Sequence, residues 1–285
     1  MAKAKAKVYN LFEGTIVDFK NWVKKTDVVL VPIGACEQHG PHCPMGCDGI
    51  EAEVTTKKTA EKANVPHTPL IWTGYSVHHM HRPTITLRAE TLQNVVYDVA
   101  RSLIHHGFNK IVFICGHTSN LRALDSVLRR IRNDTGALVA VFAADSANTI
   151  PLFKELIEGP DELPGWHGAE VEVSEILAYK PELIHLERIN KKDAPNLPHA
   201  PKYLSDKFSK PDGRMNVVFE GYEGITMPLS HADYIDIGFM GNPFRGTKKK
   251  GEIIFERVSS KCADFVKELK KLKVTIKNRK FTEAT

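Results

Sequence analysis

Residues 27–34 read DVVLVPIG, a nearly continuous apolar run of strand length, and the pattern returns at residues 110–115, KIVFIC. A strand with one wet face alternates apolar and polar residues. A run that is apolar at every position belongs to a strand covered on both faces, as in a parallel sheet between helix layers. Working outward, residues 67–72 (HTPLIW) and 137–142 (ALVAVF) read as two more strands. Residues 89–106 carry Leu92, Val95, Val96, Val99, Leu103 and Ile104 at helical spacing, and Gly107 stands where a helix-terminating glycine belongs. Residues 119–133 repeat this with Leu121, Leu124, Val127, Leu128 and Ile131. Strand and helix alternating at this spacing predict an α/β domain with a mostly parallel sheet. Farther on, residues 169–179 and 250–272 read as helices, the second with Ile253, Ile254, Val258, Phe265, Val266 and Leu269 inward. Residues 159–168 and 193–214 read as long loops.

The 285 residues are 42% hydrophobic and 26% charged, which excludes a mostly disordered chain. No apolar run approaches the roughly 18–20 residues of a membrane span. The start, MAKAKAKVYN, is basic without a secretory apolar stretch, so a cytoplasmic protein is expected. The net charge of +5 is uneven: residues 1–7 hold three Lys and no acid, and residues 246–285 hold 12 Lys and Arg against 5 acids. The body between them is acidic. A basic nucleic-acid-binding face is therefore not expected, and the Lys-rich ends read as solvated surface. Cys36, Cys43, Cys47, Cys115 and Cys262 are odd in number and contain no CxxC pair, so a zinc knuckle and a disulfide framework are both disfavoured.

The chemistry concentrates in residues 32–48, PIGACEQHGPHCPMGCD. Sites in open parallel sheets form beyond the carboxyl ends of strands, which is where this segment lies. Glu37 and His39 are two apart and leave an extended chain on the same face. Carboxylate and imidazole side by side suit Zn²⁺ or Mn²⁺. The alternative is a Glu37–His39 surface ion pair with Asp48 capping the next helix. Residues 115–120, CGHTSN, repeat the strand–Gly–His arrangement at a second strand end and bring His117 toward the first cluster. A third cluster, WHGAEVEVS at residues 166–174, places His167, Glu170 and Glu172 at a helix start. There the acids either complement the helix dipole or serve as metal ligand beside a proton-transferring imidazole.

Together these segments resemble the creatininase (creatinine amidohydrolase) family. The resemblance rests on EQHGPH with Asp48 nine residues after His39, the GHxxN turn at 116–120, and the HGAExExS helix start at 167–174. The stretch GFMGNP at 238–243 before the last helix completes it, in consistent order over residues 27–270. The resemblance implies a three-layer α/β/α sandwich in one domain over residues 1–272, with a basic tail at 273–285, assembled as a homo-oligomer, usually a hexamer. It implies two divalent ions (Zn, Mn or Fe), one held by Glu37, Asp48 and His117 and the other by His39 with Asp48 bridging. Creatininase itself carries a ligand Glu two residues after the turn His. Ser119 stands there in this chain, and Glu172 is the candidate for the missing carboxylate. The implied catalytic residues are His167 and Glu172, and the implied substrate-side residues are Ser76, His79, Thr118 and Trp166. The loop GYSVHHMHRPTIT at 74–86 departs from the family turn and adds His78, His81 and Arg82, so creatinine is not implied as substrate.

The activity expected from this resemblance is metal-dependent hydrolysis, with activated hydroxide attacking the carbonyl of a small polar cyclic amide or formamide. The same site could instead open a cyclic keto-sugar or keto-inositol (inosose) at a C–C bond. Two readings from other classes are a nucleic-acid or anionic-surface binder using the Lys-rich ends, and a redox or metal sensor using Cys36, Cys43 and Cys47.

Overall fold

The computed structural model describes residues 8–159, 167–209 and 217–282. Three parallel strands, β1 (Val28–Ile33), β2 (Lys110–Cys115) and β3 (Leu138–Ala143), lie side by side in that order. Val28 pairs with Lys110 and Lys110 with Leu138, so the carboxyl ends finish level at Ile33, Cys115 and Ala143. Every residue of β1 and β2 is buried, whereas the edge strand β3 is half-buried.

The sheet's two faces take alternate residues of each strand. On one face Val29, Val31, Ile33, Ile111 and Phe113 pack with Trp22 of α1 (Ile16–Lys25), Leu92 and Val96 of α3 (Ala89–His105), and Leu124 and Ile131 of α4 (Thr118–Thr135). On the other, Val28, Leu30, Val112 and Ile114 pack with Ala60 and Ala63 of α2 (Cys47–Ala63), Val171 of α6 (Glu170–Tyr179), and Val258 and Val266 of α7 (Lys248–Lys271). The result is a three-layer α/β/α sandwich. Each fully buried branched side chain contributes about 1.5–3 kcal/mol to holding the layers together.

Residues 67–72 are not a full strand. His67 bridges to Leu30 and Ile71 to Ile33. Between them the ladder lapses, because Pro32 of β1, the next residue in line to donate after Leu30, has no N–H. The segment runs along the free edge of β1 through Thr68 N–H to the Leu30 carbonyl (2.9 Å) and Ile71 N–H to the Pro32 carbonyl (3.0 Å). In α7, Phe265 is not inward but 36% exposed, and Phe255 and Cys262 take core positions.

Past β3 come the single turn α5 (Ser146–Thr149), α6, and a small antiparallel pair, β4 (Phe208–Ser209) with β5 (Val218–Phe219). Phe208 lies against a satellite core of Ala169, Val217, Tyr234, Ile235 and Met240, which Met240 N–H ties to the His167 carbonyl (2.7 Å). After α7 the chain folds back over the ends of α3 and α4. Lys277 N–H donates to the Thr135 carbonyl (2.7 Å), and the Arg279 guanidinium donates to the Ile104 carbonyl (2.8 Å). Among the described residues no helix is long and apolar enough to cross a membrane.

Candidate metal centre

The polar residues that β1 and β2 launch at their carboxyl ends converge. Glu37 and His39 follow β1, and His117 follows β2 as the residue capping α4. Asp48 and Glu172 enter from the first turns of α2 and α6, where the helix dipole favours an anion. Close backbone approach makes this possible. A Cβ on Gly116 would collide with the Asp48 carbonyl, so glycine there lets α2 start directly against the end of β2.

Asp48 is the hinge of the arrangement. Its Oδ1 lies 3.3 Å from His39 Nε2, and its Oδ2 lies 3.3 Å from His117 Nδ1. His39 Nε2 is also 3.6 Å from Glu172 Oε2, and Glu37 Oε2 is 3.4 Å from His117 Nε2. Ligands bound at 2.0–2.1 Å around a tetrahedral ion sit about 3.3 Å apart, so the separations from Asp48 to His39 and to His117 match those of a ligand shell. Among the described residues five donor triads have their ligand atoms within 4.8 Å of one another; two of them, Glu37–Asp48–His117 and His39–Cys47–Glu172, lie on either side of Asp48, and the other three are drawn from Glu37, His39, His78, His79, His167 and His231.

The hydrogen bonds orient the rings toward the centre. His39 Nδ1 faces the Glu37 carbonyl at 3.1 Å and His117 Nε2 faces the Tyr75 carbonyl at 3.1 Å. With the ring proton on each of these nitrogens, His39 Nε2 and His117 Nδ1 would be the atoms that offer lone pairs to a cation. Glu37 Oε2, His39 Nε2 and Asp48 Oδ2 are fully buried and have no hydrogen-bond partner. Buried polar atoms without partners are costly, and a shared cation is the chemistry that satisfies all three at once. The chain's residues therefore fit divalent metal.

The same carboxylates and imidazoles set one another's protonation. Burial raises the Glu37 carboxyl to about 7, with Asp48 adding to the rise and His117 opposing it. Burial pushes the His39 imidazole down, but the Asp48 and Glu172 carboxylates overcome it and raise it to about 10. His117 is likewise raised to about 9 by Glu37 and Asp48 against the effect of burial. Asp48 is held well below the usual carboxylate range, since the two imidazoles outweigh its burial.

Of the other residues singled out by the sequence, Glu172 and Glu170 part company. Glu172 accepts from Gly168 N–H (2.5 Å) and faces His39, while Glu170 turns away to Lys250 Nζ at 2.6 Å. Glu172 therefore lies on the His39 side of Asp48. The group facing Ser119 is His78, whose Nε2 is 3.4 Å from the Ser119 hydroxyl. Ser76 Oγ lies 3.2 Å from His117 Nε2, and His79 Nε2 lies 3.3 Å from Glu37 Oε1. His167 Nε2 meets the Gln38 carbonyl at 2.5 Å, leaving Nδ1 3.7 Å from Glu37 Oε1. Thr118 is exposed, and its hydroxyl donates to Asp145 (2.7 Å). Trp166 lies outside the described residues.

Four residues at the site had no role assigned from the sequence. Gln38 Nε2 lies 2.9 Å from His79, 3.2 Å from His167 and 3.3 Å from His231, tying three imidazoles together. Behind the converging residues, Glu51 of α2 and Glu175 of α6 form a fully buried carboxyl pair, each pushed well above the usual range by burial and then by its neighbours' charges. Glu51 and Glu175 each sit three residues past a site carboxylate, on the same helix face. That signal was available only once α2 was known to be a helix. His231 arrives from a distant loop and carried no sequence signal.

Comparison with known proteins agrees with this architecture. The family model described as creatinine amidohydrolase matches residues 13–266. Creatinine amidohydrolase from Pseudomonas putida is 26% identical over 257 residues, covering 85% of this chain and 89% of that protein. The 3-dehydro-scyllo-inosose hydrolase of Thermotoga maritima is 27% identical over 177 residues, covering 61% of this chain and 57% of that one. The solved structure described as Creatininase Mn superposes with a TM-score of 0.68 at 26% identity, over 94% of this chain and all of that one. With the family model spanning both helix layers, the sheet and every converging carboxylate and imidazole, the chain belongs to the creatininase family of hydrolases.

Proposed function

We propose that this chain hydrolyses a small polar cyclic amide or formamide using two divalent ions. Glu37, Asp48 and His117 would hold one, and His39, Asp48 and Glu172 the other, with Asp48 bridging. Bound there, the ions supply Lewis-acid polarisation of a carbonyl and bring the pKa of water toward neutrality. The observation that carries this reading is the division of Asp48, one oxygen toward each imidazole at 3.3 Å.

The chain's own residues do the rest. The Glu37 and Tyr75 carbonyls hold the two ligand imidazoles in fixed tautomers. Burial drives His167 well below its ordinary value, aided by the charge on His39, so its ring is neutral, with Nδ1 3.7 Å from Glu37 Oε1. The Gln38 carbonyl holds that ring in place, and His167 Nδ1 would carry the proton from water to the leaving nitrogen. Glu172 is assigned to the metal rather than to proton transfer, because both its oxygens are engaged, by Ser146 and by Gly168 with His39.

A second reading, ring opening of a cyclic keto-inositol at a C–C bond, is favoured by the inosose hydrolase among the relatives and by the wall of His78, His79 and His231. Imidazoles of that kind suit the hydroxyls of a polyol. The test is metal analysis of the purified chain followed by a screen of lactams, formamides and cyclic ketones with metal-loaded protein. Two ions per chain and turnover of a lactam or formamide support the first reading. Turnover confined to cyclic ketones selects the second. A wild-type chain that retains no divalent ion under saturating metal overturns both.

A further inference from the structure

We infer that Cys47 is a thiolate ligand of the second ion, making that centre a closed His39–Asp48–Glu172–Cys47 set while the first stays open toward the substrate. The inference rests on the two-ion reading above and deepens it.

Cys47 is the first residue of α2 and adjoins Asp48, so the turn that delivers the carboxylate also delivers the sulfur. Its Sγ lies within 4.8 Å of ligand atoms of both His39 and Glu172. All three residues are buried, Cys47 and His39 at 0% exposure. His39 Nε2 points into this space without a hydrogen-bond partner. Cys47 Sγ makes a long contact, 3.7 Å to Glu51 Oε1, which holds the sulfur only weakly. Zinc binds thiolate at ~2.3 Å and imidazole or carboxylate at ~2.0–2.2 Å, so donors sharing one ion lie within the spacing seen here. On coordination the Sγ–H bond breaks, the Sγ–metal bond forms, and the proton is released to solvent.

The two ions would then differ in kind. Glu37, Asp48 and His117 give three protein ligands; they are themselves buried, and a cleft of about 410 Å³ is lined by their neighbours Tyr75, which faces His117 through its carbonyl, His78 and Ser119. Three ligands with an accessible fourth position describe a catalytic ion. The other set offers one nitrogen, two carboxylate oxygens and one sulfur, four donors with no place for water. Sulfur shifts its preference toward Zn²⁺, Co²⁺ and Fe²⁺ and away from Mn²⁺ and Mg²⁺.

Cobalt reports this directly, since thiolate bound to Co²⁺ gives a charge-transfer band in the near ultraviolet and oxygen or nitrogen ligands do not. The full chain, stripped and reloaded with Co²⁺, is expected to take up two ions and show the band. Cys47→Ser should lose the band with its far-UV circular dichroism unchanged. Cys43→Ser should keep it. Zn²⁺ affinity at one of the two sites should fall in Cys47→Ser by at least the ~10–100-fold that loss of an outer-shell partner costs. Full cobalt uptake by the wild-type chain without the band, or a band that survives Cys47→Ser, overturns the inference and leaves the two-ion reading standing. No cobalt uptake at all overturns both.

Discussion

Asp48 Oδ2 lies 3.3 Å from His117 Nδ1, across the junction between the start of α2 and the end of β2. One carboxylate thereby joins two elements separated by the whole of α3, and its other oxygen reaches His39 at the same distance. Asp48→Asn keeps the shape and removes the charge that both imidazoles face. Both ions should weaken together, by more than the ~10–100-fold typical of outer-shell losses, and activity should fall with them. Metal content after gel filtration checks this. A variant that loses only one ion would refute the bridging role.

Removing the ions should destabilise the fold, because their ligands come from four separate elements and exist as a set only when folded. A ligand present at 1,000 times its Kd stabilises by about 4 kcal/mol. For a chain of this size each kcal/mol moves Tm by a few degrees, so a chelator should lower Tm by on the order of 10 °C. Scanning calorimetry with and without chelator, and after adding Zn²⁺ back, measures it. An unchanged Tm would mean the donors are not assembled around metal.

How much of this was legible beforehand follows from side-chain chemistry. β1 and β2 were plain because every position is apolar, and α3 and α4 because large apolar residues recur on one face. The helix α2 was invisible for the opposite reason. Its buried face is Gly49, Ala52, Thr55, Thr56, Thr59 and Ala60, small residues that pack closely but make no hydrophobic stripe. The helix α1 was missed because Ile16 and Val17 are 71% and 61% exposed, which scrambles its pattern despite a capping box at Thr15. Glu37, His39, Asp48 and His117 could be singled out by their place after strands. Gln38 and His231 could not, since what they do depends on rings brought together from residues 79, 167 and 231.

The Glu51–Glu175 pair should reveal itself through substitution by amide. Both carboxyls are pushed well above their ordinary range, chiefly by burial. An acid whose folded pKa is raised is fully tolerated at low pH and costs stability as pH climbs above its unfolded value of about 4.3. Glu175→Gln removes that cost while keeping size and hydrogen bonding. Stability should rise by about 1–2 kcal/mol at pH near 8 and change little near pH 4.5. Urea unfolding at the two pH values separates the effects, and a loss of stability at pH 8 would argue that the pair is needed in charged form.

Gly116→Ala tests the close approach that sets Asp48 in place. The added Cβ would strike the Asp48 carbonyl, backbone against backbone, so α2 must retreat from the end of β2. Overpacking of this kind costs about 1–3 kcal/mol. Because the shift acts on the bridging residue, metal affinity should drop along with Tm, measured in the same preparation. A variant that loses stability but binds both ions at wild-type affinity would show that α2 can move without carrying Asp48.

His42 gives the fold an acid limit. Burial pushes its imidazole down to about 4, partly offset by the hydrogen bond from Nε2 to the Gly168 carbonyl at 2.7 Å. That bond requires Nε2 to carry the ring's single proton, and its other nitrogen, Nδ1, is buried without a partner. An unfolded histidine titrates near 6.5, so between about pH 6.5 and 4 the unfolded chain binds a proton that the folded chain refuses. Stability attributable to His42 is intact above that window and declines as pH falls through it, by up to about 3 kcal/mol. The consequence reaches the site, because Gly168 N–H also holds Glu172 Oε2 at 2.5 Å. His42→Gln retains an N–H for the Gly168 carbonyl without the titration. Its stability should fall less steeply than wild type between pH 6.5 and 4.5 in urea unfolding, and parallel slopes for the two proteins would exclude His42 as the titrating group.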